Sequence, residues 1–181
     1  MNRHPQAPAI GLDFGTTNSA IARVVPGGAS ELASFRADDG PTPTFRSVLY
    51  FEEDEDDGRL RVHAGPNAIT RYLTSDEKNG RLIQSMKSFL ASRLFSATNV
   101  MGRTYRLEDL IGELLRPLRL EAEERFGAPI ERIVAGRPVN FVGAEGPEDE
   151  ELAVKRLTAS LHNAGFRDVT FEYEPVGAAY H

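Results

Sequence analysis

Asp13 and the Gly15-Thr16-Thr17-Asn18 turn that follows it carry the most legible chemistry in this chain. Ile10, Leu12 and Phe14 alternate with Gly11 and Asp13 in the period-2 pattern of a strand, and Ala20, Ala22 and Val24 resume the alternation beyond the turn. Such a hairpin sets a carboxylate beside a glycine-threonine turn. Glycine lets the backbone come close to a bulky anion, successive N–H groups gather around it, and threonine hydroxyls add neutral donors. A carboxylate there would repel a bare phosphate. Its natural use is to hold the magnesium that accompanies one, directly or through water, so the pattern points to nucleotide chemistry.

The elements that position this hairpin can be read in outline. Pro26-Gly27-Gly28 turns the chain into a second strand pair carrying Leu32, Phe35, Val48 and Tyr50. Glu52 to Gly58 has neither the glycine position nor the closing glutamate of a calcium loop, and reads as a solvated acidic hairpin tip. From Asn79 to Leu94 the residues Leu82, Ile83, Met86, Phe89 and Leu90 recur at helical spacing, which predicts an amphipathic helix with Lys87 at its edge. Taken alone, Lys87 reads as a lysine snorkelling beside a core. A second helix opens at Leu107 with Glu108 and Asp109 in its first turn, and Pro117 should kink it or delete one backbone bond. Glu131 to Phe141 predicts a buried strand with Ile133, Val134 and Ala135 in one continuous apolar run and Pro138 near its end. Pro147 opens a third helix that turns Leu152, Leu157 and Leu161 inward and stops at Gly165; Val169 to Tyr173 alternates as a last strand. The expected class is α/β, a mixed sheet flanked by helices.

Composition bounds the partners. With 181 residues, 40% hydrophobic and 27% charged, the chain can bury a core. A net charge of −6 argues against nucleic acid or an anionic membrane surface as partner, and no stretch approaches a membrane span. The absence of cysteine excludes disulfides and thiolate metal sites and suits a reducing cytoplasm. Met1 to Ala7 reads as a tail without the features of a secretory signal. His4, His63, His162 and His181 are unclustered and read as surface or packing residues. Asp13-Phe14-Gly15 lacks the upstream parts a protein-kinase magnesium motif needs, and no Walker A string, Gly-x-Ser-x-Gly elbow or His-Glu-x-x-His occurs.

Read as a whole string, Asp-Phe-Gly-Thr-Thr-Asn-Ser closely resembles the first phosphate loop of the actin, sugar-kinase and chaperone ATPase superfamily, and within it the heat shock protein 70 family. Further segments match that family in the same order. They are Asp39 to Thr44 with Ser47 to Phe51, Val62 to Ala68, Leu82 to Leu90 around the family's catalytic lysine, Ile133 to Phe141 with its signalling proline, and Glu174-Pro175-Val176-Gly177-Ala178-Ala179 behind the phosphates. The resemblance covers essentially residues 9 to 181. It implies a ribonuclease-H-like mixed sheet built from residues 8–35 and 107–181, with residues 36–106 inserted as a smaller α/β subdomain.

Its functional content is carried over residue by residue. Gly15, Thr16, Thr17 and Asn18 would bind the phosphates of ATP or ADP, and Asp13 would organise Mg2+ through water. Lys87 would stabilise charge on the γ-phosphate, and Glu174 would position water or metal from the other side. In this superfamily two lobes close on the nucleotide, and the second brings its own phosphate loop and the adenosine pocket. The chain ends six residues after Pro175. It is therefore read as one N-terminal lobe whose partners are the nucleotide, a second lobe of the same protein, and protein clients or co-chaperones of the parent. The lobe alone is expected to be inactive. A sugar or acid kinase of the same superfamily and a non-catalytic interaction fragment are the alternative readings.

Overall fold

The computed structural model describes residues 9–54, 56–75 and 80–174. The tail and the Pro175–Ala179 part of the final motif lie outside them, as do His4 and His181.

The alternation that begins the chain becomes β1 (Ile10–Phe14) and β2 (Asn18–Val24), paired antiparallel with Leu12 opposite Ile21. β1 buries Ile10, Leu12 and Phe14 and leaves Gly11 and Asp13 on the opposite face. β3 (Ser30–Leu32) and the two-residue β4 (Phe45–Arg46) both pair with β2. β10 (Arg132–Arg137) joins the other side of β1 in parallel, and β11 (Asp168–Tyr173) runs parallel beyond it. The result is a six-stranded mixed sheet in the order β11-β10-β1-β2-β3, with β4 at one end of β2.

Helices α2 (Leu107–Phe126) and α3 (Pro147–Asn163) form one apolar cluster with the inward residues of this sheet. Leu110, Ile111, Leu114, Leu118, Leu157 and Leu161 join Leu12, Phe14, Ile133 and Ala135 there. The two helices approach closely at Gly112, where an added Cβ would lie 2.7 Å from Asn163 Cβ. α2 begins at Leu107, with Asp109 Oδ2 accepting the Arg106 N–H, and runs unbroken through Pro117, which leaves one backbone donor missing inside it. α3 starts on Pro147, and Gly165, at φ +99°, follows its C-cap Ala164.

Two sequence expectations are corrected. β10 is buried on one face only. Ile133 and Ala135 are buried while Val134 between them is 37% exposed, because the helices cover a single side of the sheet. The stretch expected as a helix from Asn79 to Leu94 is a strand followed by a tight turn. β7 (Gly80–Gln84) pairs with β5 (Val48–Glu53), placing Ile83 opposite Leu49, and Met86–Phe89 then forms a 3₁₀ turn. Ser85 at φ 59° separates the two. The helical spacing arose from adding a strand's two-sided pattern to a turn's. Leu82 packs with Val48, Tyr50 and Ala68, whereas Ile83 packs against the main core. Asn79 itself lies outside the described residues.

β6 (Leu60–Ala64) completes this three-stranded antiparallel sheet on the other side of β5. Helix α1 (Gly65–Thr74), started by Pro66 and absent from the sequence expectations, packs on it. Gly65, at φ +63°, is held there by Phe45, whose ring would lie 2.4 Å from an added Cβ. β8 (Ala97–Val100) and β9 (Arg103–Arg106) form a separate hairpin turned by Met101 and Gly102, both at positive φ. No described helix is long and apolar enough to cross a membrane.

Candidate functional site

The Gly15–Asn18 turn is shaped by close approach. None of its residues adopts a positive φ, and Gly15 is glycine because an added Cβ would fall 2.2 Å from the Asn18 carbonyl oxygen, which accepts the Gly15 N–H at 3.0 Å. A neighbouring segment locks the turn from behind. Ser47, 2% exposed, donates its hydroxyl to the Gly15 carbonyl at 2.8 Å, and its backbone N–H donates to the Thr17 carbonyl at 2.8 Å. Its Oγ also lies 3.0 Å from that of buried Ser19. Arg46 donates to Asn18 Oδ1 at 3.0 Å, so the Asn18 side chain is engaged within the hairpin. Thr16 and Thr17 are exposed, their backbone fixed by these bonds. Sequence reasoning missed Ser47, Ser19 and Arg46. Ser47 stood at the head of a matched segment without a role, and nothing in the sequence pairs Arg46 with Asn18.

Three expected site residues from distant parts of the chain converge beside β1. Asp13 projects from the face of the sheet not covered by α2 and α3. Lys87, carried by the 3₁₀ turn, places Nζ 2.6 Å from Glu174 Oε1, one residue past the end of β11. Lys87 is 11% exposed and Glu174 34% exposed. The Glu174 N–H donates to the Arg137 carbonyl at 2.7 Å, which continues the β10–β11 ladder and fixes where the side chain emerges. Gly136 leaves room for it: an added Cβ would lie 3.2 Å from Glu174 Cγ.

Both charges act on Asp13. Its carboxyl pKa is raised above the ordinary value, chiefly because the walls of the site remove water from it. Lys87 lowers it in part, and Glu174 raises it further. Two carboxylates and one ammonium therefore meet on a partly solvated patch, with Asp13 exposed, Glu174 partly open and Lys87 nearly buried, and its negative charge is undercompensated. A divalent cation fits this donor set. Magnesium is commonly held by one or two carboxylates, with water and substrate phosphate completing its shell. Among the described residues no three His, Asp or Glu side chains gather as an all-protein cage. Two concavities among the described residues lie elsewhere. One of about 910 Å³ is lined by Ile10, Val24, Phe126 and Val134, and one of about 830 Å³ by Arg137, Asn140 and Lys155. The Asp13, Lys87 and Glu174 trio sits outside both.

The acidic stretch is only partly the solvated tip expected of it. Asp54, Asp57 and Arg61 make an exposed, mutually paired turn between β5 and β6. Glu52, however, is buried in β5, where Oε1 meets His63 Nε2 at 2.9 Å and is also bound by the Arg71 guanidinium. His63 is thus a packing histidine with a carboxylate partner.

No protein-family profile matches the chain. Over 194 aligned positions covering 97% of the chain it is 28% identical to a chaperone protein HscA homologue of Aromatoleum aromaticum, of which it covers 28%. With the chaperone protein DnaK of Mycoplasma mycoides it shares 29% identity over 136 positions, 75% of the chain and 20% of that protein. An HscA homologue of Shewanella loihica is 28% identical over 83% of the chain and 25% of its own length. The chain spans about a quarter of the length of the curated relatives it matches.

Proposed function

On the premise that the curated homologues of this chain are heat shock protein 70 family chaperones, we propose that it is the N-terminal lobe of a chaperone-like domain that binds and hydrolyses ATP. The observation that carries the reading is the meeting of Asp13, Lys87 and Glu174 beside the locked Gly15–Asn18 turn. Chance pairing of a lysine and a glutamate would not also fall next to the first strand's carboxylate. In this reading the six-stranded sheet is the ribonuclease-H-like core, residues 36–106 are its insertion apart from β4, which pairs back onto β2 of that sheet, and a second lobe in the full-length protein supplies the adenosine pocket. The nucleotide, protein clients and co-chaperones are the proposed partners, and the cytoplasm the proposed compartment.

The chemistry is transfer of the γ-phosphoryl group of ATP to water, giving ADP and inorganic phosphate. Positioning and electrostatics do nearly all the work in such a transfer. The Gly15 N–H closes the turn onto the Asn18 carbonyl, and Ser47 pins the turn from behind, so that the exposed Thr16 and Thr17 would offer their N–H groups and hydroxyls to the β- and γ-phosphates over the glycine. Asp13 and Glu174 are the groups that would hold Mg2+, Asp13 through water. Bound there, the ion supplies neutralisation of phosphate charge. Lys87 carries its positive charge in a nearly buried setting, where it counts for more than in water. Its contact with Glu174 keeps the ammonium from swinging into solvent and gives it a fixed line toward the γ-phosphate. Glu174 in turn accepts from whatever donor the nucleotide displaces toward it, the attacking water included.

The test is calorimetric titration of Mg-ATP and Mg-ADP into the chain, with Asp13→Ala as control, alongside single-turnover hydrolysis by the full-length protein. Nucleotide-dependent heat lost in the variant, together with hydrolysis by the full-length protein, supports the reading. A full-length protein that neither binds nor hydrolyses ATP overturns it.

A further inference from the structure

Lys87 stands on a four-residue 3₁₀ turn, which is too short to hold a side chain still by itself. The turn is fastened on its carbonyl side by one buried arginine. Arg156, on α3 and 8% exposed, shares Nη1 among three carbonyl oxygens, those of Ser92 at 2.8 Å, Leu90 at 3.2 Å and Phe89 at 3.3 Å. These carbonyls close and follow the Lys87 turn, whose own bond runs from the Leu90 N–H to the Lys87 carbonyl at 3.2 Å. A cation at the carbonyl end of a helical turn satisfies its orphan acceptors and opposes its dipole.

Arg156 is itself held. Its Nε lies 3.6 Å from Glu108 Oε1 in the first turn of α2, and both side chains are largely buried. The guanidinium therefore joins α2, α3 and the lysine turn at one point. Arg93 adds an exposed second tie from the same segment to the start of α3, at 2.8 Å to Glu148 and 2.6 Å to Asp149. The apolar neighbours Met86, Leu90 and Ala91 are buried around this junction. We propose that Arg156 is a positioning residue for Lys87: it fixes the turn so that the ammonium meets Glu174 and faces the phosphates. The catalytic half of this inference rests on the function proposed above; the positional half does not.

The experiment separates the two. The lysines of the chain are Lys78, Lys87 and Lys155. Reductive methylation with 13C-formaldehyde labels each one while keeping its charge, and Lys87→Arg assigns the Lys87 signal. A pinned ammonium gives a resonance displaced from the averaged line of a free dimethyl-lysine. In Arg156→Met that displacement should collapse while thermal unfolding stays cooperative, and Arg156→Lys should restore part of it. An undisturbed Lys87 signal in a folded Arg156→Met chain overturns the proposal. If Arg156→Met does not fold, Arg156→Lys alone decides. A single ammonium cannot span three carbonyls and Glu108, so an unchanged signal there overturns it as well.

Hydrolysis by the full-length protein provides the second arm. Misplacing a catalytic group by about an ångström costs up to about 100-fold, so Arg156→Met should slow single-turnover hydrolysis by roughly 10- to 100-fold with nucleotide Kd within about twofold. In a Lys87→Ala background the same substitution should cost nothing more, because it acts through the lysine. An equal loss in both backgrounds marks a merely structural arginine and overturns the proposal. Absence of hydrolysis in the unmodified protein refutes the proposed function alone, and the methyl resonance still decides the role of Arg156.

Discussion

Lys87 Nζ and Glu174 Oε1 lie 2.6 Å apart although 87 residues of chain separate them. The pair joins the 3₁₀ turn behind β7 to the residue that follows β11, so it spans two sheets that make no strand pairing with each other. Each partner constrains the other. The lysine is nearly buried and has an acidic anchor, while the glutamate stays partly open to the face that carries Asp13.

Lys87→Ala in the full-length protein should lose hydrolysis by about two orders of magnitude or more while nucleotide affinity changes only a few-fold. The ammonium interacts most strongly with charge that develops in the transition state, so removing it lowers the rate rather than the binding. Single-turnover rates set beside calorimetric Kd values check this. Equal losses in rate and affinity would reclassify Lys87 as a ground-state binding residue.

Asp13 should weaken the nucleotide-free fold as pH rises. Its native pKa is raised, first by desolvation, so between the ordinary carboxylate value near about 4 and that raised value the native state holds more protons than the unfolded chain. Stability contributed by this group is complete below that window and is lost as pH climbs through it. Asp13→Asn should therefore melt slightly higher than the unmodified chain at pH 7, by about a degree at most because water screens the exposed side chain, and the gap should close below about pH 4. Added Mg2+ with nucleotide should reverse the order at pH 7, since the carboxylate of Asp13 engages the ion and its water far better than an asparagine amide does. A lower melting temperature for Asp13→Asn at pH 7 without nucleotide contradicts the desolvation account.

How much of this was legible follows from which interactions are local. The β1–β2 hairpin was readable because both faces of its alternation lie within a few residues, and α2 and α3 because their starts carry acids or proline. The meeting of Lys87 and Glu174 was not readable from spacing at all; the resemblance named the two residues separately and on opposite sides of the phosphates, and their contact comes from how the turn after β7 and the end of β11 lie together. The false helix at 79–94 shows the opposite failure. Leu82 and Ile83 serve different cores on two faces of one strand, and Ser85 in the left-handed region restarts the pattern, so a sum of two short elements imitated one long period. Val134 misled for a related reason: an apolar run shows that a strand can be buried on both faces, but not that helices cover both.

Gly15→Ala should damage the turn directly. Its Cβ would lie 2.2 Å from a backbone oxygen that already accepts the Gly15 N–H, so the hairpin end must open and the Ser47 bonds to Gly15 and Thr17 must stretch or break. A loss of about 1–3 kcal/mol is expected from backbone strain and an uncovered buried hydroxyl. Chemical denaturation measures it, and nucleotide binding should fall by at least tenfold in the same variant. Ser47→Ala, which keeps the glycine but removes one strap, should lie between the two. A Gly15→Ala chain with unmodified affinity would show that the turn does not touch the phosphates.

Glu52→Gln tests whether the buried carboxylate in the acidic stretch is structural. Its Oε1 is shared by His63 and the Arg71 guanidinium, and an amide there cannot balance the guanidinium charge. Removing one partner of a buried ion pair is costly because the others remain desolvated, but Arg71 is 48% exposed and can turn to water, which limits the loss to about 1–2 kcal/mol. For a chain of this size that lowers the melting temperature by roughly 2–8 °C. Added salt should leave the difference nearly intact, since a buried pair is weakly screened. Glu124→Gln is the control: it removes an ion pair to Arg36 in which both side chains are well exposed, and its effect on stability should be near zero. Equal effects of the two substitutions would mean that Glu52 is as solvated as its acidic neighbours and that the His63–Glu52–Arg71 contact contributes nothing to holding α1 on its sheet.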